Sequence, residues 1–593
     1  MHRPALVRAW IYQLESGGES QDDAPGGFER QIEELDWRAA FASVFAMSRL
    51  PRLLSRAAFA AAVWIGVVLV PLGAADRARV TLLSTTDLHG HIYPFDYYTG
   101  QPAELGLAKV ATLVARLRRE NPHLLLVDSG DTIQGTPLVY YHNRLDDGPI
   151  DPMMLVMNEL RYDSMTVGNH EYNFGLAVLG KARREATFPW LSANTYRTGT
   201  DETAYAPYII KEVDGVRVGI LGLTTPGIPA WENRENFAGL EFRDPVDEAA
   251  KWVPILRGRE RVDTVVVAMH MGLEEDLATG RRMAADVPHE NAALAIARRV
   301  PGIDLILMGH THRDVPSLVV GGVLLAQAGR WGDHLVEADL YFSRDGSGPW
   351  TIIGKAAQSL PVDRNTPADP KILALAEPYH RKTLAWLDRP IGTSERAIGA
   401  GDILRDCAML DLVQRVQLEV GRADVSLASN FNPSARIPAG PVTVRDIAGI
   451  YVYENTLYVI EVTGAQLRAA LEHSARYFLP YQKGKSPEDL VDPNVMGYNF
   501  DAAAGVAYEI DLARPVGERI QNLRFKGAPL DPRAKLRLAL NNYRFNGGGG
   551  YTMFKGAPVL SHPSEEIRDL IIDWVGRHHA IPDDPIGNWL IVD

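Results

Sequence analysis

Over residues 78–334 short apolar runs alternate with amphipathic stretches, and run after run ends on a side chain able to hold a proton or an ion. Residues 80–84 lead to Asp87 and His89, 124–127 to Gly130 and Asp131, 164–167 to Asn169 and His170, 264–268 to His270, and 305–308 to His310 and His312. A further run at 216–223 follows a turn at Gly215. Runs that are apolar along their whole length predict strands covered on both faces. Between them, Leu107, Val110, Leu113, Val114 and Leu117 recur at helical spacing over 107–119, which predicts a helix with one buried side. The chain is expected to be α/β, with its chemistry on the loops at the strand ends.

Five of those loops offer seven nitrogen or oxygen ligands. Each alone has a bland reading, since an Asp after a strand commonly caps a helix or turn and a single His is usually a satisfied structural group. The set is different, because unrelated loops do not place Asp-x-His, Gly-Asp, Gly-Asn-His-Glu, His and Gly-His-x-His in series. Glycine ahead of a ligand lets the backbone turn sharply enough to aim it. Cys407 is the only cysteine, which excludes an intrachain disulfide and every multi-cysteine metal site and leaves nitrogen and oxygen donors. With 61 basic and 74 acidic residues and a net charge of -13, the chain lacks the surplus of cations that charge-driven capture of duplex nucleic acid needs. Its 593 residues are enough for two to three globular units.

The series Asp87-x-His89, Gly130-Asp131, Gly168-Asn169-His170-Glu171, His270 and Gly309-His310-x-His312 resembles the calcineurin-like dinuclear metallophosphoesterases, in the two-domain branch that contains periplasmic 5'-nucleotidases. The resemblance implies a four-layer αββα sandwich followed by an α+β nucleotide-binding domain. It implies two divalent metal ions, of Mn, Zn, Fe or Co, because such ligands accept any of them. Asp87, His89 and His312 would hold one ion, Asn169, His270 and His310 the other, and Asp131 would bridge them. His170 would be the non-ligand catalytic histidine, with Asn169 beside it at the reaction centre. Where 5'-nucleotidases of this family usually continue with an Asp that orients the histidine, this chain has Asn173. That departure resembles the branch hydrolysing 2',3'-cyclic nucleotides and then 3'-nucleotides, as do Phe95-Asp96-Tyr97-Tyr98 and Gly329-Arg330-Trp331-Gly332-Asp333-His334. The implied activity is metal-dependent hydrolysis of those esters to nucleoside and phosphate, with 5'-nucleotidase or UDP-sugar hydrolase the alternative.

Residues 78–360 are expected to form the catalytic domain, 361–390 a helical linker, and 391–593 the substrate-binding domain. In the last, the segments around Tyr453 and Tyr543, the second leading into Gly547 to Gly550, resemble the family's aromatic pair that sandwiches the base. Every base has a π face, so such stacking tolerates different bases. Asn430, Asn432 and Arg436 occupy the place of the substrate-contacting segment of related 5'-nucleotidases. A domain order that splits the site between two units also predicts a hinge near 361–392.

At the N-terminus Arg49, Arg52 and Arg56 precede an uncharged stretch at 57–75 that ends in Gly73, Ala74 and Ala75. This reads as a secretory signal over 47–75, with residues 1–46 an acidic extension ahead of a true start at Met47. A retained anchor is the alternative, since nineteen uncharged residues can just cross about 30 Å of hydrocarbon. The expected place is the periplasm or outside the cell. The expected partners are small nucleotides, with no duplex nucleic acid, no protein partner and no stable membrane insertion after cleavage.

Overall fold

A computed structural model describes residues 75–146, 148, 150–276, 279–283, 285–399, 404–563 and 565–592. The predicted signal at 47–75 therefore lies, apart from Ala75, outside the described residues. Two six-stranded sheets stack in the first half of the chain. In one, β1 (Asp76–Thr85), β2 (Leu125–Asp128), β3 (Ser164–Thr166) and β4 (Trp190–Leu191) run parallel. In the other, β5 (Tyr208–Val213) pairs antiparallel with β6 (Val216–Thr224), and β6, β7 (Thr264–His270) and β8 (Leu305–Met308) run parallel. That sheet is completed by β9 (Asp314–Val320) and β10 (Val323–Ala328). The chain then returns to the first sheet through β11 (His334–Arg344), antiparallel to β1, and β12 (Thr351–Pro361).

The two-residue period of a strand accounts for the layers. Val80, Leu82 and Val127 of the first sheet meet Ile220, Val266, Ala268, Leu305 and Leu307 of the second in one dry interior. Leu83 and Leu126 point the other way, onto Leu107, Val110, Val114 and Leu117 of helix α1 (Leu107–Glu120). Leu221, Leu223, Val265 and Val267 likewise face α2 (Pro245–Pro254) and α3 (Ala293–Arg299) through Ala249, Val253, Ala293 and Ile296. The order is helix, sheet, sheet, helix. Each fully buried Val, Leu or Ile contributes about 1.5 to 3 kcal/mol, so strands this apolar are stable only between two covering layers. The strands that carry the expected ligands end at one rim: six of the seven ligands follow a strand end there, and His270 is the last residue of β7.

The expected linker at 361–390 is helical over part of its length. Its helix α4 occupies Pro370–Leu387, begun by Asp369, which accepts the Lys371 and Ile372 N–H groups, while residues 362–369 form a loop. The helix lies on the first half: Tyr93 donates to the carbonyl of Leu373, and Tyr379 to that of Ile150. Beyond it a five-stranded sheet has the order β15 (Asp501–Ala504), β13 (Val425–Ser429), β16 (Lys535–Asn541), β14 (Leu457–Thr463), β17 (Val559–Ser561). Helices α5 (Ala408–Gly421) and α6 (Gly464–Ser474) pack on it. Among the described residues no helix is long and apolar enough to cross a membrane.

Candidate metal centre

The loops after β1 and β2 are stitched together by backbone. Asp87 N–H donates to Gly130 O at 2.9 Å, His89 N–H to Asp131 O at 2.8 Å, and Gly90 N–H to Thr132 O at 2.9 Å. Glu171, fully buried, accepts the N–H groups of Gly168, Asp131, Thr132 and Ile133 at 2.6–3.3 Å and so fixes the Asp131 turn. Asp87, His89, Asp131, His310 and His312 all have positive φ, between 45° and 70°. Non-glycine residues adopt that region at a cost, and runs of such residues mark functional sites held in place by their surroundings.

Two clusters result. Asp87, His89 and His312 offer ligand atoms that lie within 4.8 Å of one another, and so do Asp131, His270 and His310. Asp131 joins the clusters: its Oδ2 is 2.9 Å from His270 Nε2 and 3.8 Å from His89 Nε2. Asn169 Oδ1 lies 3.1 Å from His270 Nε2, which adds the amide to the second cluster. The chemistry of the donors tests whether cations fit. His270 Nδ1 is 2.8 Å from the carbonyl of Ser129, and His89 Nδ1 faces the backbone and side-chain oxygens of Gln134 at 3.2 and 3.0 Å. Both Nδ1 atoms must therefore carry the proton, and both Nε2 atoms present lone pairs. Those lone pairs converge with carboxylate and amide oxygens, and His89 Nε2 stands only 3.0 Å from His312 Nε2. Acceptors packed this closely repel unless a cation lies among them. The same field acts on protons and, where no metal ion takes the lone pair, puts one on His270 Nε2: burial opposes charge there, yet Asp131 outweighs it and lifts the imidazole to about 10. The two clusters imply divalent metal ions.

His170 stands beside the clusters, its ring 5.2 Å from that of His89, and its backbone N–H donates to Asp131 Oδ1 at 2.8 Å. Burial opposes its charge, but Asp131 and the Asn173 side chain outweigh that and raise its pKa. Arg330, with Nη1 3.4 Å from His312 Nδ1, brings a positive charge to the rim.

On the C-terminal side, Tyr453 is half-buried, with the Phe431 ring edge-on at 5.1 Å. Tyr543 lies flat on Gly548, where a Cβ would fall 2.3 Å from the ring, and its hydroxyl donates to Asp286 Oδ2 at 3.1 Å. Asp286 also accepts from Trp231 Nε1 and the Gly549 N–H, tying the glycine run to the first half of the chain. Asn430 Oδ1 accepts the Asn432 N–H. Asn432 itself donates through Nδ2 to the carbonyl of Gly449. Arg436 is exposed and donates to the carbonyls of Pro433 and Ala435 in its own loop.

Three residues with no sequence signal of their own support the site. Gln134 bridges His89 to Glu454, whose other oxygen accepts from buried Arg568 at 2.8 Å. Glu232 accepts from Asn173 Nδ2 at 2.5 Å, while Asn173 Oδ1 is 2.6 Å from His170 Nδ1. Glu171 was visible only as the last residue of its motif.

Comparison with known proteins agrees with this arrangement. Residues 80–314 match the model of calcineurin-like phosphoesterases, and residues 390–556 that of the 5'-nucleotidase C-terminal domain. The chain is 32% identical over 544 residues to the 2',3'-cyclic-nucleotide 2'-phosphodiesterase/3'-nucleotidase of Yersinia enterocolitica, covering 80% of this chain and 82% of that one. It is 28% identical over 87% of its length to the trifunctional nucleotide phosphoesterase protein YfkN of Bacillus subtilis, but spans only 39% of that longer protein. The solved structure of a 5'-nucleotidase precursor from Thermus thermophilus matches with a TM-score of 0.64 at 26% identity, over 87% of this chain and 100% of that one. The chain belongs to the calcineurin-like phosphoesterases that carry a 5'-nucleotidase C-terminal domain, the family of the bacterial 2',3'-cyclic-nucleotide 2'-phosphodiesterase/3'-nucleotidases.

Proposed function

We propose that this protein is an exported phosphoric ester hydrolase that converts 2',3'-cyclic nucleotides and 3'-nucleotides to nucleosides and phosphate. The observation that carries the reading is the pair of ligand clusters meeting at Asp131, in a chain whose relatives at about a third identity bear that activity in their names. Asp87, His89 and His312 would hold one divalent ion, Asn169, His270 and His310 the other, and Asp131 both, the metal being Mn, Zn, Fe or Co. When bound, such a pair supplies Lewis acidity and an activated water for in-line attack on phosphorus.

The rest is the work of the chain. His170 steadies the charge of the transferring phosphoryl group or returns a proton to the leaving oxygen, with Asn169 beside it. Tyr453 and Tyr543 stack on the base, which selects a nucleoside without selecting among bases. Asn430 and Arg436 are assigned to the substrate side of the second domain. The domains are taken as 78–360, 361–390 and 391–593, with export directed by 47–75 and the protein released into the periplasm or medium.

Phosphate release from 2',3'-cAMP, 3'-AMP, 5'-AMP and UDP-glucose by metal-reconstituted protein tests the assignment. A phosphatase added to the cyclic reaction exposes ring opening even where the second step is slow. Preference for cyclic and 3' esters is expected. Preference for 5'-AMP would favour the second reading, 5'-nucleotidase, which the Thermus thermophilus structure's name supports. Intact residues 1–46 in material recovered from the periplasm would refute the start at Met47.

A further inference from the structure

Where a carboxylate could have faced His170 directly, the chain has an amide with a carboxylate behind it. Asn173 Oδ1 lies 2.6 Å from His170 Nδ1, and Asn173 Nδ2 donates to Glu232 Oε2 at 2.5 Å. Glu232 is buried, and its second oxygen is spoken for: Oε1 accepts the Asn233 N–H at 2.6 Å and Asn236 Nδ2 at 3.0 Å. Asn236 Nδ2 also reaches the carbonyl of Asn173 at 3.2 Å. Three donors thus converge on a group that can only accept, so the Asn173 amide has one permitted orientation. With Nδ2 committed to Glu232, Oδ1 must face the histidine, and His170 Nδ1 must be the protonated nitrogen. Its Nε2 is left to exchange a proton with the reacting oxygens.

We propose that Glu232 is a positioning residue for His170, fixing the tautomer and orientation of the imidazole through the Asn173 amide. The inference rests on the reading of His170 given above. The loop that carries Glu232 is itself anchored by the C-terminal half: Asn542 and Asn546 donate to the carbonyls of Trp231 and Glu232, and Asn233 Nδ2 donates to Thr456 Oγ1 at 3.0 Å.

The polarity of the pair supplies the test. In Glu232→Gln the new amide cannot accept on both sides, so a donor faces a donor either at Asn173 or at Asn233. In Asn173→Asp two carboxylates meet across the 2.5 Å contact and need a shared proton. In the double variant Asn173→Asp/Glu232→Gln every partner is satisfied again. Asp at 173 accepts from both His170 and the new amide, which in turn accepts from Asn233 and Asn236. The measurement is kcat and KM on 3'-AMP and 2',3'-cAMP for the metal-loaded wild type, both singles, the double and His170→Ala, with Tm recorded for each.

Each single is expected to lose about ten- to a hundredfold in kcat with KM little changed, the usual cost of removing an orienting partner. The double should return to within about threefold of wild type, a coupling that independent structural damage does not produce. A double no more active than Asn173→Asp overturns the proposal, and that comparison stands even if Glu232→Gln alone does not fold. If His170→Ala costs less than tenfold, the reading of His170 itself falls. A large loss there with no rescue in the double overturns only the role of Glu232.

Discussion

The ion pair of Arg544 and Asp501 is the most consequential buried interaction beneath the expected base site. Arg544 Nε lies 2.8 Å from Asp501 Oδ2, and both side chains are 1% exposed. The guanidinium also donates to Asn499 Oδ1, to the carbonyl of Gly548 and, at 2.6 Å, to that of Tyr498, and stands 5.1 Å from the Tyr543 ring centroid. It therefore holds both the loop before β15 and the glycine run on which Tyr543 lies. Arg544→Met leaves the Asp501 carboxylate buried and alone, which costs about 3 to 5 kcal/mol. For a unit of some 200 residues at about 2 to 4 °C per kcal/mol, Tm should fall by roughly 10 °C. Adding Asp501→Asn removes the stranded charge and should recover at least about half of that loss, because the expense lies in the unpaired ion. Losing part of a stacking contact worth about 1 to 3 kcal/mol should raise KM for 3'-AMP about tenfold. Hydrolysis of bis(p-nitrophenyl) phosphate, which has no base, should change little per folded molecule. Urea denaturation and steady-state kinetics on the two substrates measure both effects. A stability loss under 1 kcal/mol, or a double variant weaker than Arg544→Met, would refute the reasoning.

Three further outcomes are expected. Gly168→Ala would put a Cβ 2.2 Å from Asp131 Oδ1 and 2.6 Å from its backbone nitrogen, so bound metal by mass spectrometry and turnover should both fall, the latter about a hundredfold. Tyr453→Ala and Tyr543→Ala should each raise KM for nucleotides while leaving metal content unchanged; metal loss in either would show a structural ring instead. His142, 4% exposed, is depressed to about 4 chiefly by burial and then by Lys181, whose Nζ is 3.3 Å from its Nε2. The unfolded chain takes up that proton near 6.5, so stability is full above that value and falls by up to about 3 kcal/mol as pH drops from 6.5 to 4. His142→Asn should flatten that stretch of the urea-midpoint profile, and an unchanged slope would count against it.

The strands were legible because each combines an apolar run with an abrupt polar end. The run read at 264–268 continues to His270 as β7, and the one at 305–308 is β8 with the same bounds. The ligand series was legible for the same reason, since strand ends fix both its order and its location. Two things were not. Positive φ at Asp87, His89, Asp131, His310 and His312 follows from the stitching of separate loops, which no local sequence encodes. The partners Gln134–Glu454 and Asn173–Glu232 join residues far apart in the chain.

Those two long-range pairs share a logic that bears on catalysis. His89 and His170 each direct Nδ1 at an amide oxygen, of Gln134 and Asn173, and each amide hands its N–H to a carboxylate, of Glu454 and Glu232. A carboxylate placed directly on either imidazole would orient it as well, but would stand nearer to the phosphate the site must admit. Moving a negative charge from about 6 to about 10 Å from a phosphoryl oxygen relieves on the order of 1 kcal/mol at an effective dielectric of about 20. An intervening amide keeps the directional hydrogen bond and surrenders the repulsion. Asp87 and Asp131, which remain as the carboxylates inside the two clusters, are the ones that divalent cations would neutralise. Because Glu454 belongs to the C-terminal half and Gln134 to the N-terminal half, the orientation of His89 is completed only where the two halves meet.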